Sequence, residues 1–121
     1  MIQATEHQIQ NAIMGYLRAK GYYVMRLNSG AIRSRDGHGK MNLIRLMEPG
    51  TPDVLAFKGR PAYSITPNGE PSYQSNIIFV EVKAGKNKPT TLQKMKMDEL
   101  MRYGATCFVA YSVEDLIKLG I

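Results

Sequence analysis

The chain has 121 residues, of which 44% are hydrophobic, and its formal net charge is +6. A chain of this length forms one domain, spanning residues 1-121, with a core large enough to need no disulfide or structural metal. The basic excess favours a polyanionic partner, which is nucleic acid or an acidic membrane surface. No stretch reaches the ~18 apolar residues of a membrane span, so we expect no membrane insertion.

Cysteine and histidine are scarce. Cys107 is the only cysteine, which excludes a disulfide within the chain and fits the reducing conditions of a cytoplasm. The two histidines are too few for a zinc cluster. The first ten residues lack the apolar core of a signal peptide, so we expect a cytoplasmic location.

The first predicted helix begins at a capping box formed by Thr5 and Gln8. Apolar residues follow at helical spacing from Ile9 until Gly21 ends the helix. Glu6 lies in the first turn on the same face as Ile9, so its carboxylate leans toward the core side and would be available to a metal site. Periodicity alone favours a simpler role for Glu6, a favourable interaction with the helix dipole.

A strand and a basic loop are predicted next. Residues 22–27 are rich in aromatic and β-branched types and predict a strand, which ends at the Asn-Ser-Gly sequence of residues 28–30. Residues 33–40 form either a mobile loop that becomes ordered on a phosphate backbone or a solvated surface loop. Residues 42–47 alternate weakly and predict a second strand. The candidate DNA contacts of the loop are Arg33, Arg35 and Lys40.

Two short stretches carry the strongest functional signal. The first is Asp53, which follows Pro52 and precedes an apolar strand at residues 54–57. The second is the pair Glu81 and Lys83, which ends an apolar strand that begins at residue 77. Strand side chains alternate, so Glu81 and Lys83 share a face. If the two strands pair antiparallel, the start of the first lies beside the end of the second, and Asp53 meets both charged residues.

Two carboxylates and a lysine at one place suit metal-assisted phosphodiester hydrolysis. Asp53 and Glu81 would hold a hard divalent cation, and Lys83 would orient the attacking water and offset charge in the transition state. The simpler interpretation is a structural ion pair at a strand end. A charge pair that continues a strand apolar on both faces argues against it, because burial costs on the order of several kcal/mol per uncompensated ion.

Residues 58–76 contain several glycines and prolines and predict a protruding insertion. The Asn68-Gly69 sequence, with Tyr63 and Tyr73 on either side, predicts a hairpin. The tyrosines would stack on unpaired bases or contact a partner subunit, although packing within the hairpin is the simpler interpretation.

A run of lysines without an acidic residue begins at the proposed site and continues into a second helix. Its candidate phosphate contacts are Lys86, Lys88 and Lys94, and the run extends to Lys96. A solvated loop and helix face is the alternative. The helix opens at a capping box of Thr90 and Gln93, and Gln93 either closes this cap or faces the site. A strand at residues 105–111 and a short helix complete the chain.

The predicted order is helix, three or four strands, helix, strand and helix. With its motifs, this order resembles the virus-type replication-repair nuclease (VRR-NUC) family of the PD-(D/E)xK nuclease superfamily over nearly the whole chain. The motifs that carry the resemblance are Glu6, Gly50-x-Pro52-Asp53, Glu81-Val82-Lys83 and Gln93. The resemblance implies an α/β fold with a restriction-endonuclease-like core, in which a mixed central β-sheet is flanked by helices.

The resemblance also implies an active site. Its catalytic residues would be Glu6, Asp53, Glu81, Lys83 and Gln93. Mg²⁺ or Mn²⁺ would bind Asp53, Glu81 and the Val82 carbonyl, with Glu6 bound directly or through water. Lys83 and Gln93 would position the hydrolytic water. The resemblance thus favours site roles for Glu6 and Gln93 over their simpler interpretations.

Short members of this family look like homodimeric nucleases that act on branched DNA. The resemblance therefore implies a homodimer in a phage or bacterial cytoplasm, with a substrate such as a four-way (Holliday) junction in replication or repair. Residues 33–40 and 58–76 depart from a minimal family pattern and leave the substrate preference open. The alternatives are a flap or general nuclease, a sequence-specific restriction-type enzyme, and a basic DNA-binding protein that keeps the fold but does not cut.

Overall fold

In a computed structural model that describes residues 3–27, 31–35, 37–45 and 47–121, the chain is of the expected α/β class. The helices are α1 (Glu6–Ala19), α2 (Thr91–Arg102) and α3 (Val113–Lys118). The strands are β1 (Tyr23–Arg26), β2 (Ala31–Arg35), β3 (Met41–Arg45), β4 (Val54–Phe57), β5 (Gly59–Ile65), β6 (Pro71–Ser75), β7 (Ile78–Val82) and β8 (Thr106–Ala110). The strand break predicted at residues 28–30 lies outside the described residues.

A four-stranded mixed sheet in the order β1-β4-β7-β8 forms the centre of the fold. β1, β4 and β7 run antiparallel, while β7 and β8 are parallel and are connected through α2. The antiparallel pairing on which the sequence argument depended is present, with Val54 opposite Val80. β7 is an interior strand, and its carboxyl end lies beside the amino end of β4.

The two faces of this sheet differ in burial. Val54, Val80 and their neighbours of even number are fully buried against the apolar side of α1, which contributes Ile13 and Leu17. On the other face, Leu55 of β4 and Phe79 of β7 are only half-buried and line a groove beside α2. The alternation of strand side chains therefore anchors one face in the core and leaves the other accessible.

Both long helices begin at the predicted capping boxes. In α1, the Thr5 hydroxyl accepts a hydrogen bond from the Gln8 N–H, and the Gln8 side chain accepts one from the Thr5 N–H. Thr90 and Gln93 make the same reciprocal pair at the start of α2. Two of the backbone donors at each helix start are thus satisfied locally. Among the described residues, no helix is long and apolar enough to cross a bilayer.

Two hairpins outside the central sheet raise the strand count above the predicted three or four. The hairpin predicted at Asn68-Gly69 is present, since β5 pairs with β6 and Gly69 adopts a φ of +82°, which suits glycine. The prediction of a loop through Arg33 and Arg35 is wrong, because both residues lie in β2, which pairs with β3. The glycines of this basic segment fall in the turn at residues 37–39, so the residues before them are free to extend and pair.

Candidate functional site

Asp53 is held by backbone hydrogen bonds at the junction of β4 and β7. Its N–H donates to the Val80 carbonyl at 3.1 Å, and its Oδ2 accepts from the Val82 N–H at 2.8 Å. The β4–β7 register places Asp53 across from Glu81, so both carboxylates project from the same face of the sheet. The convergence of the two strand ends is therefore confirmed.

The turn before Asp53 is fixed by close packing against α2. Gly50 has a φ of +85°, and a Cβ at this position would lie 2.7 Å from the Leu92 carbonyl oxygen. Only glycine therefore fits without movement of the first turn of α2. The Thr51 hydroxyl donates to the Glu48 carbonyl at 2.6 Å, and Pro52 is fully buried. These contacts explain why Gly50, Thr51 and Pro52 precede the carboxylate.

Glu81 is 1% exposed and lacks full hydrogen bonding. Its Oε1 lies 3.7 Å from the Lys83 Nζ, but its Oε2 is buried and has no hydrogen-bond partner among the residues the structure describes. Burial and, after it, the charge of Asp53 raise the pKa of Glu81 to about 8, against the opposing effect of the Lys83 ammonium. These surroundings favour a protonated Glu81 at neutral pH.

Lys83 is 8% exposed and is buried beside Glu81, whereas Asp53 is only half-buried. The backbone N–H of Lys83 donates a hydrogen bond to the Ala110 carbonyl at 3.1 Å. This bond extends the β7–β8 ladder and fixes the backbone at Lys83. The Lys83 ammonium is within ion-pair distance of Glu81, as the simpler interpretation expects. The other Glu81 oxygen, however, has no partner among the described residues, and a buried oxygen of this kind calls for a ligand or a proton.

Glu6 lies close enough to the strand ends for its charge to raise the pKa of Glu81. It is half-buried in the first turn of α1, so the helix brings a third carboxylate to the same region.

Gln93 is also half-buried, and its Oε1 accepts a hydrogen bond from the Thr90 N–H at 2.9 Å. Its amide nitrogen makes no hydrogen bond with the described residues. The capping role of Gln93 is therefore present, and one end of its amide remains available.

The carboxylate and carbonyl oxygens at the site are of the kind that bind a hard divalent cation. Among the described residues, no group of three or more His, Cys, Asp and Glu side chains is arranged to hold a metal ion. Asp53 and Glu81 would thus need the Val82 carbonyl to complete a set of oxygen ligands. The N–H of Val82 bonds to Asp53, and because the N–H and C=O of one strand residue point the same way, this carbonyl faces the β4 side.

The predicted phosphate contacts differ in their surroundings. Lys86, Lys88 and Lys94 are exposed in the loop after β7 and the first turn of α2, and Arg35 and Lys40 are exposed on the β2–β3 hairpin. The Arg33 side chain lies outside the described part of the chain. Lys96, at the end of the lysine run, differs from these residues because its ammonium pairs with Glu48 and Glu99. Its charge is therefore partly compensated within the chain.

Gln10 is a buried polar residue that the apolar pattern of α1 does not identify. It is 7% exposed and lies one helical turn after Glu6, on the face that also buries Ile13. Its i+4 spacing from Glu6 is the signal that places both polar side chains on the buried face. The amino end of α1 is therefore more polar on its inner side than the rest of the helix.

Comparison of the chain with protein-family models, with curated proteins and with solved structures finds no match.

Proposed function

We propose that the protein is a divalent-metal-dependent DNA endonuclease of the PD-(D/E)xK type, similar to the VRR-NUC family. One observation carries the proposal: Glu81, whose buried Oε2 has no hydrogen-bond partner in the described part of the chain, lies across from Asp53 and 3.7 Å from the Lys83 ammonium. Groups of this charge and burial are expensive to hold together in an apolar sheet and are typical of functional sites.

The chain's own residues would divide the work of hydrolysis. A bound Mg²⁺ or Mn²⁺ would polarise the scissile phosphate and lower the pKa of a water molecule. Asp53, Glu81 and the Val82 carbonyl would hold the ion, with Glu6 bound directly or through water. The Lys83 ammonium would donate a hydrogen bond to the attacking water and offset negative charge on the phosphate. Gln93 would orient the same water through its amide.

The substrate we propose is DNA with a branch, such as a four-way junction. The net charge of +6 and the exposed cations Lys86, Lys88 and Lys94 support binding to a phosphate backbone. Contacts of this kind fix position without reading sequence. A two-fold junction has to be cut on two opposed strands, so two copies of the chain, each with one site, would match it.

Cleavage assays with Asp53→Asn test the function directly. The asparagine Oδ1 can still accept the Val82 N–H, so the fold is kept while one ligand charge is lost. We expect Mg²⁺- or Mn²⁺-dependent cleavage by the parent, no cleavage in excess EDTA, and a loss of roughly a thousandfold in the variant. Asp98→Asn, which removes an exposed carboxylate of α2, is the matched control and should cut normally.

Two outcomes would reject the proposal. Cleavage that persists in excess EDTA, or full activity of Asp53→Asn, removes this site from the chemistry. Tight DNA binding by a parent protein that cuts no substrate with either metal instead favours the alternative, a basic DNA-binding protein on the same fold.

A further inference from the structure

A basic cleft lies at the end of the central sheet that is opposite to Asp53. It has a volume of about 810 Å³ and opens where β4 ends, where β7 begins and where the β5–β6 hairpin leaves the sheet. We call it the distal cleft. The lining residues that bear on its ligand are Tyr22, Lys58, Arg60, Gln74, Ser75 and Asn76.

The distal cleft is cationic and contains no acidic side chain. Lys58 and Arg60 are exposed, and neither forms an ion pair within the part of the chain that the structure describes. The Lys58 ammonium lies 4.7 Å from the centre of the Tyr22 ring, so a cation–π contact holds it in place. Two cations in one cleft that lack an acidic partner among the described residues are suited to an anionic ligand.

Neutral hydrogen-bonding groups accompany the two cations. Asn76 is tied to Thr106 through a side-chain hydrogen bond at 3.3 Å, which fixes its amide at the start of β7. Gln74 and Ser75 add an amide and a hydroxyl from the end of β6. Such groups, with Lys and Arg, are the usual contacts to phosphate and sugar in DNA complexes.

The distal cleft is too far from Asp53 to bind the same phosphate group. Lys58 follows Asp53 by five strand residues, which is about 16 Å at ~3.3 Å per residue. That distance corresponds to roughly five base pairs of duplex. We propose that the distal cleft binds the phosphate backbone of a second segment of the DNA substrate, away from the phosphate that is cut. The choice of ligand rests on the proposed nuclease function.

The double variant Lys58→Ala/Arg60→Ala tests this site. Binding to a four-way junction with arms of about 12 base pairs, roughly 40 Å each, is measured by fluorescence anisotropy over a range of salt concentrations. The measurement is made in EDTA with Asp53→Asn also present, so that no DNA is cut. We expect affinity at low salt to fall about tenfold, and the slope of log affinity against log salt to flatten by one to two units.

The matched control is Arg102→Ala/Lys118→Ala. It also removes one arginine and one lysine, but from the carboxyl ends of α2 and α3. This control should change the slope by much less than the cleft variant does. The exchange variant Lys58→Arg/Arg60→Lys keeps both charges and should bind the junction like the parent. This result would show that the alanine variant binds weakly because it lacks the charges and not because it is misfolded. Equal slopes for the cleft and control variants would overturn the proposal.

The proposal and the nuclease function can fail separately. If the parent cuts DNA with a metal but the cleft variant binds the junction normally, the distal cleft does not contact DNA. If the slope flattens but the parent never cuts, the cleft is a DNA contact on a protein that lacks the proposed activity. Capture of a protein partner at the cleft, with unchanged DNA binding, would also overturn the assignment.

Discussion

Glu81 is a buried acid, and one of its side-chain oxygens has no hydrogen-bond partner in residues 3–27, 31–35, 37–45 and 47–121. With a pKa near 8, it holds a proton at neutral pH when no ligand is present. A divalent cation that binds here has to displace that proton, so metal affinity is expected to rise with pH until Glu81 is ionised.

The buried carboxyl group also makes the metal-free protein sensitive to pH. The folded-state pKa lies above the ordinary value of 4.5, so the folded protein retains a proton that the unfolded chain releases. The free energy of unfolding therefore falls as pH rises from about 4.5 to 8, and this contribution levels off above that range. We expect Glu81→Gln to remove this fall and to be more stable than the parent at pH 9, by on the order of a few kcal/mol.

Denaturant unfolding in EDTA at pH 5, 7 and 9 measures this effect. Glu70→Gln, in the exposed turn of the β5–β6 hairpin, reports the general effect of losing one carboxylate. Parallel stability curves for Glu81→Gln and the parent would show that Glu81 is ionised in the folded protein, contrary to the geometry described above.

At the scale of elements, α2 combines a structural and a proposed chemical role at its first turn. Gln93 closes the capping box of α2, as Gln8 does for α1, so the chain contains an internal comparison. Replacement of either glutamine by alanine should cost about 1 kcal/mol of stability through the lost cap. We expect Gln93→Ala to lose, in addition, at least roughly tenfold in single-turnover cleavage, or about 1.4 kcal/mol of transition-state stabilisation.

Thermal melting and single-turnover cleavage are measured on both variants. A Gln8→Ala protein that melts lower but cuts like the parent isolates the effect of the cap. If Gln93→Ala and Gln8→Ala change both quantities to the same extent, Gln93 is a capping residue alone and takes no part in the site.

Local rules in the sequence were enough to predict the elements that position the candidate site. Both capping boxes are local motifs, and strand alternation was enough to predict that Glu81 and Lys83 share a face. The meeting of Asp53 with this pair depended, in addition, on an antiparallel pairing that the sequence left as a condition. Tertiary contacts were not predictable in this way. Lys96 pairs with Glu48, which is 48 residues away, and no periodicity reveals such a pair. β2 was missed because its composition is that of a loop, and it extends only because β3 offers a partner.

At the scale of the whole molecule, the number of copies bears on the proposed substrate. Two active sites facing opposed strands would require a homodimer, and the β5–β6 hairpin was predicted to supply contact surface through Tyr63, Ile65 and Tyr73. Tyr73 is 69% exposed, whereas the side chains of the other two lie outside the described part of the chain. We expect a homodimer that prefers a four-way junction over linear duplex and makes symmetric nicks near the branch.

Analytical sedimentation and nicking assays test the assembly together with the substrate preference. Tyr73→Ser should shift the protein toward monomer and reduce junction selectivity, while each monomer keeps its site. Tyr103→Ser is the matched control, because Tyr103 is 88% exposed at the end of α2. A monomer at working concentration that cuts linear and branched DNA equally would leave a general nuclease.

The register between β4 and β7 restricts how the length of this chain can change. A single inserted residue between Asp53 and Phe57, or between Ile78 and Lys83, would rotate every later side chain of that strand to the opposite face. An insertion in β7 ahead of Glu81 would turn Glu81 and Lys83 into the apolar layer under α1 and would put valine side chains in their places at the site. The turns at residues 37–39 and 66–70 have no such constraint, because extra residues there only lengthen a hairpin tip. Insertions and deletions are therefore compatible with the site in the two hairpins and incompatible with it in the strands that carry the carboxylates.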